Sequence, residues 1–343
     1  MTMTTFPQLD LATHMSRLTP PDRPVRMVLD TDTYNEIDDQ FALAQALLAP
    51  ERLTVEAIYA APFFNDRSSS AGDGMEKSYE EILRLLDLLG HSPEGLVYRG
   101  ATSFLDKDNL VRTEAVDDLI NRALASPADD PLYVVAIAAL TNIATALLLE
   151  PRIIEHIVVV WLGGHALNWP HTLEFNLKQD IPSAQVLFDC GVPLLLVPCM
   201  GVTTQLSTTI PELEAYLGGQ NPLCDFLVDT VKGYHDDHFA WSKPIWDVAA
   251  IAWLLDDFIH FEIVENGTGI QTPSKIYELW AGEFDGAYAE GGTICFTMHP
   301  QVMGRYPRVR MLEQLIQYMR GHAGVQFTTC SQAVADWAAQ NPL

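Results

Sequence analysis

Residues 25–39 read Val25-Arg26-Met27-Val28-Leu29-Asp30-Thr31-Asp32-Thr33-Tyr34-Asn35-Glu36-Ile37-Asp38-Asp39. The stretch opens as an apolar strand, Val25 to Leu29, and closes in acids that start a helix running from Asp38 to Leu48. Outward from it the same alternation continues. A strand is expected at Val55 to Ala60, then a helix near Met75 to Leu89, where Met75, Tyr79, Ile82, Leu83, Leu86 and Leu89 recur at helical spacing and Gly90 follows as a C-cap. Further strands are expected at Leu132 to Ala138, Ile157 to Leu162 and Val192 to Val197, with helices near Asn142 to Leu149, Ser183 to Cys190 and Asp247 to Leu255. Strands that are apolar throughout are buried on both faces, as in a parallel sheet covered by helices. The predicted fold is therefore α/β: an open, doubly wound, mostly parallel sheet with helices on both faces. Such sheets bind ligands beyond the carboxyl ends of their strands, which is where residues 30–39 lie.

Composition narrows the function. The chain has 343 residues, with 20 Lys+Arg against 45 Asp+Glu, a formal charge of −25. A charge of that sign repels phosphate backbones and anionic lipids, so neither nucleic acid nor a membrane surface is an expected partner, and a cation is the more natural guest. No apolar run reaches the ~18 residues of a membrane span, and residues 1–25 lack a hydrophobic signal-type segment, so the cytoplasm is the expected compartment. The five cysteines are scattered and never spaced C-x-x-C, and are read as reduced thiols.

Asp30, Asp32, Glu36, Asp38 and Asp39 place five carboxylates within ten residues. Like charges this close destabilise one another unless a proton or a multivalent cation compensates them. An all-oxygen set suits a hard ion such as Ca²⁺ or Mg²⁺. Helix capping is the alternative, and it accounts for Asp38 and Asp39 but not for Asp30 and Asp32.

A strand ending in Asp-Thr-Asp and leading into Asp-Asp before a helix resembles the opening motif of the inosine-uridine nucleoside hydrolase family. Further matches follow in the family's order: Asn65 after the second strand, Val97-Tyr98-Arg99-Gly100, Ala139-Leu140-Thr141-Asn142, Leu162-Gly163-Gly164 with Asn168, Glu174-Phe175-Asn176, and Trp246-Asp247. The similarity covers about residues 25–257. It implies calcium-dependent cleavage of the N-glycosidic bond of ribonucleosides. By that resemblance Asp32, Asp39 and Asp247 would hold Ca²⁺ through side chains and Thr141 through its carbonyl, with Asp32 as general base toward a water. Asp38, Asn168, Glu174 and Asn176 would grip the ribose hydroxyls, with Asn65 nearby. The resemblance also implies a homo-oligomer, dimer or tetramer.

Three departures stand out. The link between Asp-Thr-Asp and Asp-Asp, Thr33-Tyr34-Asn35-Glu36-Ile37, is two residues longer than usual and could bring Tyr34 or Glu36 toward the site. Many members carry His-Asp where this chain has Trp246-Asp247. Tryptophan cannot donate a proton but can stack on a flat base, which points to purine nucleosides. A leaving-group acid could instead come from Tyr234, His235 or His238. Finally, residues from about Thr272 resemble the closing segment of polysaccharide deacetylases, with Met298-His299-Pro300-Gln301 and Gly304-Arg305-Tyr306-Pro307-Arg308. His299 would be a second-site residue there. No H-x-x-x-H pair or T-x-D-D motif accompanies it, and the tail is expected to give a strand around Thr293 to Thr297 and a covering helix around Val309 to Arg320. The expected organisation is a loose lead-in over 1–24, the α/β domain over 25–271 and an atypical tail over 272–343 packing on that domain.

Overall fold

The computed structural model describes residues 5–255, 273–294, 296, 306–329, 332 and 339. Two compact units divide the chain, Met1–Ile263 and Val264–Leu343.

In the first unit, strands β1 (Val25–Thr31), β2 (Leu53–Ala60), β3 (Val97–Arg99), β4 (Leu132–Ala136), β5 (Ile157–Leu162) and β6 (Leu194–Val197) form one sheet in the order β3-β2-β1-β4-β5-β6. Every pairing in it is parallel. Side-chain alternation splits the core in two. Met27 and Leu29 pack on one face against helices α2 (Asp39–Leu47), α3 (Ala71–Leu89), α9 (Pro222–Tyr234) and α10 (Val248–Leu255). Val28 and Tyr59 pack on the other against α4 (Glu114–Ala125), α5 (Thr141–Leu149) and α7 (Ile181–Asp189). The chain order reverses at the β1/β4 neighbours, the switch point where this architecture opens a crevice. Shorter pieces complete the unit: α1 (Leu11–Arg17), α6 (Phe175–Gln179), α8 (Ile210–Tyr216), and the antiparallel pair β7 (Ser207–Thr208) and β8 (Lys243–Pro244).

In this unit the expected strands and helices all occur, with ends shifted by a few residues. Gly90 caps α3 in the left-handed conformation at φ 73°. The lead-in is not loose. Asp10 caps α1 by accepting the Thr13 amide, and buried Arg17 donates to the carbonyls of Ile154, Ala128 and Glu155. The prolines at 20, 21 and 24 suggested irregular chain, but they lie after α1 and only stop it.

In the second unit α11 (Pro273–Glu290) and α12 (Tyr306–Arg320) pack through Phe284, Leu315 and Met319. The α12 helix covers the helix expected at Val309 to Arg320. The strand expected around Thr293 to Thr297 falls partly outside the described residues, and Thr293, Ile294 and Phe296 are not in strand. Met298, His299, Pro300, Gln301, Gly304 and Arg305 lie outside the described residues. Among the described residues no helix is long and apolar enough to cross a membrane.

Candidate active site

A cavity of about 210 Å³ opens beyond the carboxyl ends of the strands. Asp32 enters it just past β1, Ile137 past β4, Leu162 at the end of β5 and Cys199 past β6. Asp38 and Asp39 arrive on the first turn of α2, and Asp247 on the residue before α10. Asp38, Asp39 and Asp247 bring oxygens within 4.8 Å of one another, and all three are buried, a group that could hold a metal ion.

The pattern of hydrogen bonds shows which acids are satisfied. Asp39 accepts the Thr31 hydroxyl at 2.6 Å. Asp30 accepts Asn142 Nδ2 at 2.8 Å through one oxygen, while its other oxygen has no partner. Neither carboxylate oxygen of Asp32 has a partner, although the residue is only 1% exposed. Burial pushes the Asp30 and Asp39 carboxyls up to about 7 and Asp38 to about 6, and mutual repulsion adds to the rise at Asp39. Asp32 and Asp247 are raised further, by burial first and then by neighbouring acids. Among the described residues no lysine or arginine lines the cavity. Buried anions left without a cation or donors are costly, so a hard divalent ion fits this oxygen set.

Glu174 and Asn176 also line the cavity, held in place by the backbone. Glu174 caps α6, accepting the amides of Asn176, Leu177 and Gly164 at 2.8–2.9 Å. Asn176 Nδ2 donates to the carbonyls of Ile137 and Leu162, pinning the ends of β4 and β5. Two glycines allow this close packing. A Cβ on Gly163 would lie 2.3 Å from the Trp161 ring, and one on Gly100 would lie 2.2 Å from the Ala60 carbonyl. Trp246 is half-buried, packing against the core edge while it lines the cavity.

Other expected residues lie elsewhere. Thr141 is not part of the lining: its hydroxyl donates to Asp180 and its carbonyl accepts the Thr145 hydroxyl at 2.7 Å. Asn65 sits behind the wall, donating to Asn35, which does line the cavity. Asn168 is exposed. His235 stacks on Trp241, the His238 ring lies tilted against it and His238 Nε2 meets the Lys232 carbonyl, and neither lines the cavity. The longer loop divides its two candidates. Glu36 lines the cavity and pairs with Lys243 and the Tyr234 hydroxyl, whereas Tyr34 is not part of the lining and lies half-buried beneath Arg67. His165, Met200 and Cys199 line the cavity without having been singled out from sequence. The Leu162-Gly163-Gly164 motif, one residue before His165, was the available signal.

Fold and site together define an α/β hydrolytic enzyme with an acid-lined pocket at its topological switch point. Residues 27–316 match the family described as inosine-uridine preferring nucleoside hydrolase, and the chain belongs to that family. The match passes the 257 at which the motifs stopped. It makes the protein an enzyme of the N-ribosyl hydrolase class. The chain is 28% identical over 280 residues to the pyrimidine-specific ribonucleoside hydrolase RihA of Salmonella paratyphi A, covering 73% of this chain and 85% of that protein. Among solved structures, a purine-preferring ribonucleoside hydrolase from Gardnerella vaginalis superposes with a TM-score of 0.55 at 26% identity, over 68% of this chain and 80% of that one. A plant nucleoside hydrolase gives a TM-score of 0.55 at 23% identity, over 69% and 80%, and supports the fold alone.

Proposed function

We propose that the protein hydrolyses the N-glycosidic bond of ribonucleosides, purines preferred, with Ca²⁺ as its metal. The observation that carries this reading is Asp32: a buried carboxylate with neither oxygen satisfied, beside three convergent acids and open to the cavity. Asp38, Asp39 and Asp247 would hold the ion together with Asp32. The Thr141 carbonyl would join only by sharing its bond with Thr145. When bound, the ion would supply Lewis-acid polarisation and an anchor for hydroxyl groups.

The chain's own residues do the rest. Asp32 accepts a proton from the attacking water as the C1′–O bond forms, and the C1′–N bonding pair leaves on the base. Positive charge develops on the ribose ring, and an anionic wall of Asp38 and Glu174 stabilises it more than the neutral ground state. Asn176 and Glu174, locked by backbone bonds, offer fixed positions for the vicinal hydroxyls. Asn168 and Asn65 would need loop movement to take part. Trp246 offers an aromatic face to the base, which favours the larger purine ring. We assign the enzyme to the cytoplasm and to a homo-oligomer on the same footing.

The test measures free ribose from inosine, adenosine, guanosine, uridine and cytidine, with Ca²⁺ and after chelation. Purine turnover that chelation abolishes and Ca²⁺ restores is expected. No ribose from any nucleoside would overturn the reading, and faster uridine or cytidine turnover would overturn its purine part.

A further inference from the structure

The reaction leaves one partner unassigned. Trp246 can stack on a departing base but cannot meet the charge that builds on its edge. Tyr234, His235 and His238 were expected to supply a group there, yet none of them lines the cavity. Of the described histidines only His165 does, on the segment that follows Gly163-Gly164.

The geometry points to His165 as the residue that touches the leaving base, donating a hydrogen bond from Nε2 to a ring nitrogen or carbonyl oxygen as the C1′–N bond breaks. This rests on the nucleoside-hydrolase reading of the same site. The tautomer follows from one contact: the Met200 amide donates to His165 Nδ1 at 3.2 Å, so in the neutral ring the hydrogen sits on Nε2. Met200 lies past β6 and lines the cavity itself, so the ring is braced from a second wall. His171 stands edge-on with ring centroids 5.3 Å apart. Burial and then His171 lower the His165 pKa, against the opposing pull of the Gly164 and Leu173 carbonyls. A neutral ring can donate without being drawn to the acids opposite, and it keeps Nδ1 as the acceptor of the Met200 amide. The balance is complete without proton loss from His165. The water proton goes to Asp32, the C1′–N pair goes to the base nitrogen, and that nitrogen takes its proton from solvent.

The competing account is that His165 only fastens its loop to Met200. Two variants and two leaving groups separate the accounts. Inosine needs its departing base stabilised, whereas the 4-nitrophenolate of 4-nitrophenyl β-D-ribofuranoside leaves readily without a donor. With Ca²⁺ present, His165→Ala is expected to lower kcat on inosine about 100-fold and on the aryl riboside about 3-fold. His165→Gln, which restores an N–H donor, is expected to recover about tenfold on inosine. Equal losses on both substrates, or full inosine activity in His165→Ala, would overturn the assignment while leaving the hydrolase reading intact. A wild-type protein that releases ribose from neither substrate would overturn that parent reading, and this one with it.

Discussion

Two groups of acids sit in the first unit, and the fold treats them in opposite ways. Glu56 and Asp118 sit part-buried among arginines: Arg122 reaches Asp118 at 2.6 Å and Glu56 at 3.4 Å, Arg26 pairs with Glu56, and the Tyr59 hydroxyl donates to Asp118 at 2.8 Å. Asp30, Asp32, Asp38, Asp39 and Asp247 sit deeper, and among the described residues no arginine forms an ion pair with them. Lys243 pairs with Glu36, and its charge eases the rise at Asp38. Acids that serve structure carry their counter-charges with them. Acids that serve chemistry are left for a ligand to complete, and stability is given up where the ligand will bind.

The sharpest break of this contrast is at Asp32. Asp32→Asn removes the proton acceptor, and kcat on nucleosides should fall about 10³-fold or more. The same change removes an uncompensated buried charge, so the melting temperature of the metal-free variant should equal or exceed that of wild type. A large drop in melting temperature would show that Asp32 is structural after all.

Metal removal tests the whole cluster through pH. Asp30 and Asp39 are held near 7 and Asp38 near 6, against an unfolded carboxyl near 3.8. Between those limits the folded chain keeps protons that the unfolded chain has released. The stability present below about pH 4 is therefore lost as pH rises through 6 to 7. Thermal melts in chelator should show a higher melting temperature at pH 5.5 than at 7.5, and saturating Ca²⁺ should raise the pH 7.5 value and shrink the difference. A pH-independent melt in chelator would contradict the contrast.

On the satisfied side, Arg122→Met leaves Asp118 with only Tyr59 and Glu56 with only Arg26, and should cost about 1–3 kcal/mol in denaturant unfolding while leaving Ca²⁺ affinity alone. The smallest expected effect is Trp246→Ala, about tenfold in kcat/KM on inosine and less on uridine. Equal losses would remove the stacking argument for base preference.

The sequence shows the sheet clearly because its strands are apolar on both faces, and runs such as Ile157–Leu162 leave little choice of state. It shows the local half of the site as well, since Asp30 to Asp39 crowd together before any folding. The remainder needed three dimensions. Asn65 matched a motif but points at Asn35, and Thr141 matched one but spends its carbonyl on Thr145. His235 and His238 looked reactive in sequence, yet they satisfy themselves against Trp241 and their own loop. Only the adjoining Leu162-Gly163-Gly164 motif hints at His165, and its role stays hidden in sequence because its place depends on where β5 and β6 end relative to β1. Helix α1 was missed for a different reason: the prolines beyond it dominated the reading, while its own cap, Asp10 with Thr13, is a weak signal.

Arg17 fastens that first helix to the segments leading into β4 and β5 through the carbonyls of Ala128, Ile154 and Glu155. Every residue type carries that oxygen. Substitutions at the exposed Ala128 and Glu155 can therefore drift over evolutionary time without loosening the clasp, whereas Ile154 is held by the core it packs in and Arg17 by its guanidinium.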